Sequence, residues 1–270
     1  MLKIGIIGCG SIGTEICKAI DSGKIHTELV AVYDRNMKHC ETLSSLLATK
    51  PDITSPDELI SRADIVVECA SAAAVREFGL AVLEKGKELM VMSVGALTDH
   101  ALLQSLRETA SANGCRIYVP SGAITGLDGL KSASGNHIVK VTLSTTKNPG
   151  GLEGAPYITE NNIDLDSFRE KTLLFEGSAL EAIKGFPANV NVATSLSLAG
   201  IGVEKTQVKI FVDPGASRNI HEIEVEGEFG KFTSRVENVP FPCNPRTSFL
   251  AALSAIATLK SITEPLQIGT

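Results

Sequence analysis

The chain contains no tryptophan and only three tyrosines, and aromatic residues make up 4% of its 270 positions. Surfaces that bind single-stranded nucleic acid by stacking need such faces. The net charge of −6, with no Lys/Arg cluster, argues against nucleic acid as a partner as well. Apolar runs fall far short of the ~20 residues that cross a bilayer, so no membrane segment is expected. The first strand-like run begins at Leu2, so no secretory leader is expected either. Six cysteines, at 9, 17, 40, 69, 115 and 243, form no CxxC pair and stand at no metal-ligand spacing from the five histidines. No structural or catalytic metal is therefore expected. Scattered thiols without a leader read as reduced, which suits a cytoplasmic protein.

What is present is ordinary globular composition, 43% hydrophobic and 21% charged, in a length that fits one large or two modest domains. Its most informative run is Gly8-Cys9-Gly10-Ser11-Ile12-Gly13. An apolar stretch, Leu2 to Ile7, precedes it as a buried strand. Ile12, Ile16, Ala19 and Ile20 follow at helical spacing, and Asp34 closes a second apolar run, Leu29 to Tyr33. Strand, glycine turn, helix, strand and acid together form a dinucleotide-binding fingerprint. Gly8 permits a tight turn, Gly10 a close approach to a pyrophosphate, and Gly13 close packing of helix on sheet. Ser11 and Ile12 open a helix whose free N–H groups favour phosphate. Asp34 suits the ribose hydroxyls of NAD, whereas Arg35 beside it suits a 2′-phosphate, so NAD is expected and NADP tolerated. Cys9 reads as a small buried thiol.

Apolar runs at 2–7, 29–34, 64–69, 88–92 and 115–119 alternate with helical stretches at 11–22, 36–48, 55–62, 71–85 and 99–113. This alternation predicts a Rossmann-type, doubly wound parallel sheet. After the small-residue loop 120–126 the pattern becomes period-two: 137–147, 206–213, 218–226 and 231–237. Turns are expected at Asp213-Pro214-Gly215 and at 227–230, with helices at 176–184 and 188–199 and a mobile loop at 148–162. These predict an α/β substrate domain with a mixed or antiparallel sheet covered by helices on one face. A final helical stripe from Phe249 to Leu259 is expected to return to the first domain. The expected division is therefore 1–119 plus 245–270, and 120–244.

Within the second domain, alternation puts His221 on the face of Ile223 and Val225, opposite Glu222, Glu224 and Glu226. An inward histidine is a candidate general acid/base, and equally a hydrogen-bonded core residue. Lys147, at a strand end, is a candidate for holding a substrate carboxylate or else a solvated lysine. Asn189 reads as a helix cap or as an amide facing a ligand.

The glycine motif, the loop Pro120-Ser121-Gly122-Ala123-Ile124-Thr125-Gly126-Leu127-Asp128, the run Phe186 to Ala193 and Asn219-Ile220-His221-Glu222-Ile223 together make the whole chain resemble the NAD(P)-dependent L-aspartate dehydrogenases of NAD biosynthesis. The resemblance implies a catalytic His221 and cofactor contacts at Ala123 and Asn189. It also implies two domains, a homodimer, and oxidation of L-aspartate to iminoaspartate, hydrolysed to oxaloacetate and ammonia. Ser121 and Gly122, with Lys147, are candidates for the substrate carboxylates. Reductases of homoserine, dihydrodipicolinate or a sugar, or a non-catalytic NAD-sensing subunit, are the alternatives that turnover separates.

Overall fold

The computed structural model describes residues 1–187, 190–241 and 244–270, with the backbone alone at Pro240 and 244–247. The chain divides into two compact units, Met1–Pro120 with Ala251–Gln267, and Ser121–Leu250 with Ile268–Thr270.

The first unit carries β1 (Leu2–Ile7), β2 (Thr27–Tyr33), β3 (Asp52–Ile53), β4 (Ile65–Glu68), β5 (Glu88–Val91) and β6 (Ile117–Tyr118). Between them run α1 (Ser11–Asp21), α2 (Met37–Ser45), α3 (Pro56–Arg62), α4 (Ala72–Glu84) and α5 (His100–Ala112). Every strand pairing is parallel and the order is β3-β2-β1-β4-β5-β6. That is the doubly wound dinucleotide-binding order, as the alternation predicts. Strands buried on both faces explain the unbroken apolar runs. Ile4 and Ile6 meet Ile16 of α1 and Leu43 of α2 on one face, while Ile7 joins Leu59 of α3 and Val75 of α4 on the other. Caps define the helix starts: Asn36, Ser55, Ser71 and Asp99 each accept a hydrogen bond from a first-turn N–H.

The second unit runs α6 (Leu127–Ala133), β7 (Ile138–Lys147), α7 (Pro156–Glu160), β8 (Thr172–Ser178), α8 (Ala179–Gly185), α9 (Val190–Ala199), β9 (Gln207–Val212), β10 (Asn219–Gly227), β11 (Gly230–Asn238), β12 (Pro240–Phe241) and β13 (Asn244–Ser248). Its main sheet has the order β11-β10-β7-β9-β8. Only β7 and β9 are parallel, so the sheet is mixed. Val141 and Leu143 of β7, Ile210 of β9, and Ile223 and Val225 of β10 form one apolar face. Leu130 of α6, Ala182 of α8 and Leu196 of α9 pack against it. The closing helix α10 (Phe249–Thr263) belongs to the first unit from Ala251 onward, where Ala255 and Leu259 join the core beside α1.

Three local expectations change. The turn at Asp213-Pro214-Gly215 does not join paired neighbours, because β7 lies between β9 and β10. The helix expected at 176–184 starts at Ala179 and follows a strand. Ser178 and Glu181 form a capping box that sets this boundary. The segment 148–162 holds a 3₁₀ turn at Pro149–Gly151, capped by the Asn148 side chain, and then α7. Among the described residues no helix is long and apolar enough to cross a membrane, and no group of His, Cys, Asp and Glu is placed to hold a metal.

Candidate active-site residues

In the first unit, β1 runs into a turn in which Gly8 adopts φ +107°, a value that favours glycine. A Cβ on Gly8 would come within 2.7 Å of the Cys69 carbonyl carbon and the Ala70 nitrogen. A Cβ on Gly13 would run into the Gly8 carbonyl oxygen. Gly10 differs, since nothing lies within 4 Å of its Cβ position. It is the N-cap of α1 and supplies no side-chain cap, so the first N–H groups of Ser11, Ile12 and Gly13 are left for a ligand. Beside them lies a cavity of about 300 Å³, lined in part by Gly8, Gly10, Asp34, Arg35, Ser71 and Ala74. Backbone donors at a helix start, open space before Gly10 and a carboxylate at the end of β2 fit a dinucleotide.

Asp34 is held firmly. Its Oδ2 accepts the Cys9 N–H and its Oδ1 the Asn36 N–H, both at 2.9 Å, so the acid also shapes the glycine turn. Arg35 points to Glu77 of α4, with Nη2 at 2.5 Å from Oε2. Cys9 is buried, with its Sγ 3.5 Å from that of Cys40, and burial pushes its thiol pKa far up. The inert, space-filling reading of Cys9 fits this environment.

Glu68, at the end of β4, is a contributor that sequence reasoning missed. Its carboxylate is buried and accepts from Ala70 N, Ser71 N, Ser93 N and Ser93 Oγ at 2.8–3.0 Å. Burial lifts its pKa although the hydrogen bonds pull the other way. It fixes the turn on which Gly8 packs. A carboxylate inside the apolar run 64–69 was the available signal.

In the second unit, His221 lies on the inward face of β10 and is 5% exposed. The hairpin register, closed by Gly227 opposite Gly230, sets this face. Its cross-strand partners are Thr145 on β7 and Val236 on β11. Thr145 Oγ1 lies 3.0 Å from His221 Nδ1. Lys147, two residues further along β7, shares the face of Thr145. It is buried rather than solvated, at 8% exposure. Among the described residues no carboxylate or hydrogen-bond acceptor engages its ammonium group. Burial lowers the Lys147 pKa. Burial first, and then the Lys147 charge, push His221 down to about 4. His221 is therefore a neutral imidazole at pH 7. Asp213 Oδ1 accepts Gly215 N in its own turn.

The loop carrying Ser121, Gly122 and Ala123 is tied to the inward face of β11. Asn238 Nδ2 donates to Ala123 O at 2.9 Å, and the Thr125 and Ser234 hydroxyls lie 2.5 Å apart. These two ties bracket Val236, the register partner of His221. Gly122 has φ +65° and Ile124 is buried. The structure thus brings His221, Thr145 and Lys147 together and anchors the loop to the neighbouring strand. Asn189 lies outside the described residues.

Two family models match. Residues 8–120 match the NAD-binding domain of homoserine dehydrogenase, and residues 128–262 match the C-terminal domain of aspartate dehydrogenase. The chain is 59% identical to L-aspartate dehydrogenase of Methanococcoides burtonii over the full length of both. It is 46% identical to that of Bradyrhizobium diazoefficiens, covering all of this chain and 94% of the relative. Among solved structures, aspartate dehydrogenase from Thermotoga maritima superposes with a TM-score of 0.78 at 29% identity, with full coverage of both chains.

Proposed function

The chain belongs to the L-aspartate dehydrogenase family, and from that premise we propose that it oxidises L-aspartate with NAD or NADP to iminoaspartate, which water converts to oxaloacetate and ammonia. The observation that carries the mechanism is the buried pair His221 and Lys147: a neutral imidazole beside a cation that no anion engages among the described residues. An ammonium buried without an anion is costly, and a substrate carboxylate relieves that cost. Lys147 holds one carboxylate of aspartate, and the backbone of Ser121, Gly122, Ile124 and Thr125 holds the other.

The substrate amine must be neutral before its α-hydrogen can leave as hydride. His221 takes the ammonium proton; once the imidazolium has released that proton to solvent, the neutral ring can accept one from the hydrolytic water. In the free protein the imidazole is a weak base, partly because Lys147 repels its proton. A carboxylate against Lys147 cancels that repulsion, so substrate binding strengthens the base that the substrate needs. The bound dinucleotide supplies the nicotinamide ring that accepts the hydride. Gly8, Gly10, Ser11, Ile12 and Gly13 would hold its pyrophosphate and Asp34 its ribose. Ala123 and Asn189 join the cofactor contacts by family resemblance. Arg35 leaves room for NADP.

A cytoplasmic location and a homodimer belong to the same proposal. The free cysteines at 9, 17, 40, 69 and 115 support a reducing compartment. Iminoaspartate is expected to feed pyridine nucleotide biosynthesis. The test is NADH formation from L-aspartate and NAD+ by wild type and His221→Ala, with homoserine and other amino or hydroxy acids beside it. Loss of roughly 100-fold or more in the variant, with NADH binding retained, supports the reading. Turnover that survives makes His221 structural. A wild type inactive in both directions overturns the aspartate assignment.

A further inference from the structure

The imidazole of His221 has a hydrogen-bond partner that the mechanism above leaves unused. Thr145 is fully buried, and its Oγ1 lies 3.0 Å from Nδ1. The two residues are register partners in the β7–β10 ladder, so paired strands set their separation. Thr145 is also β-branched, which restricts its hydroxyl to few rotamers. We propose that Thr145 is a positioning residue for the reaction: its hydroxyl accepts the Nδ1–H of His221, fixes the ring's tautomer and leaves Nε2 as the atom that takes the proton. The inference rests on His221 being the base.

A neutral imidazole carries one N–H, and the partner of the other nitrogen decides which. If the threonine hydroxyl donated to Nδ1, the proton would sit on Nε2 and the ring would have no lone pair for substrate. With Nδ1–H donating to Oγ1, one N–H bond of the substrate ammonium breaks, one Nε2–H bond forms, and the ring gains the positive charge. The Nδ1–H···Oγ1 bond is the same before and after, since both nitrogens of an imidazolium are donors. Proton transfer then needs no reorganisation around the ring.

The partner's neutrality matters as much as its position. A carboxylate there would stabilise the imidazolium and protonate the ring before substrate arrived. A hydroxyl orients without doing so. On β11 the register partner Val236 is apolar, and the charged group acting on the ring is Lys147 on β7. Orientation comes from Thr145 and electrostatic control from Lys147, on alternate positions of one strand face.

The test compares full-length wild type, Thr145→Val and Thr145→Ser, with L-aspartate and NAD+ as substrates. The valine keeps the shape and removes the hydroxyl. Its kcat is expected to fall about tenfold, the worth of one neutral hydrogen bond, with KM for NAD+ unchanged. The serine should recover most of the loss. In parallel, ¹⁵N spectra of histidine-labelled wild type near neutral pH should show His221 protonated on Nδ1 and bare on Nε2. An unimpaired valine variant, a serine variant as poor as the valine, or a wild-type proton on Nε2 would each overturn the inference. The ¹⁵N result decides the matter if the valine variant does not fold. If His221→Ala keeps its turnover, the base reading itself fails. If His221→Ala is inactive while Thr145→Val is fully active, only the role of Thr145 falls.

Discussion

Acid should unfold this protein partly through His221, by an amount the structure sets. In the unfolded chain the imidazole titrates near 6.5, and in the fold it is held down to about 4. As pH falls the unfolded state takes the proton first. Stability is therefore fully present above the unfolded value, declines as pH drops from about 6.5 to about 4, and declines no further below that. At about 1.4 kcal/mol per pH unit the whole window is worth ~3 kcal/mol, and ~2.5 kcal/mol at about pH 4.5. Glutamine at the same position cannot take a proton. Urea unfolding of wild type and His221→Gln, near pH 7 and about pH 4.5, isolates the effect, because the carboxylates titrate alike in both and cancel. Wild type should lose ~2.5 kcal/mol more than the variant over that interval. If the two lose the same amount within ~0.5 kcal/mol, His221 is either solvated or paired with an anion, and the argument for a neutral buried base is refuted.

Lys147→Met should raise the unfolding free energy of the ligand-free protein near pH 7 by ~1 kcal/mol or more, because it removes a buried cation with no anion partner among the described residues and keeps the stem. The gain should shrink at alkaline pH, where the wild-type lysine sheds its proton early. The same variant should raise KM for aspartate at least tenfold, and a lower melting temperature with unchanged KM would count against the carboxylate role. Glu77→Ala releases Arg35 from an exposed ion pair. KM for NADP+ should then fall by a few-fold relative to that for NAD+, within the small range typical of such pairs. An unchanged ratio would remove Arg35 from cofactor selection.

The first unit was legible because a buried parallel sheet writes itself as continuous apolar runs. Its helices also announce themselves with caps such as Ser55 and Ser71. The strand Asp52–Ile53 was not legible, since two exposed residues carry no period. In the second unit the strands showed but their order did not. Placing β7 between β9 and β10 is a non-local choice on which the turn Asp213-Pro214-Gly215 is silent. Strand β8 was hidden by a register shift between Leu173 and Phe175 that breaks the alternation. The helix α6 begins just past Gly126, whose left-handed backbone ends the small-residue loop 120–126, in a stretch where the sequence pattern predicts no element.

The site shows how one periodicity can be followed too short a distance. Alternation along β10 turned His221 inward with Ile223 and Val225. The same alternation along β7, continued past Val141 and Leu143, assigns Thr145 and Lys147 to the inward face. Lysine's usual preference for water argued the other way, and at Lys147 the pattern won. A buried cation beside a neutral base is costly, and an anion bound from outside the chain lowers that cost. On the reading proposed above, the anion that Lys147 lacks among the described residues is a substrate carboxylate, and a substrate with two of them would satisfy Lys147 and still present its amine to His221.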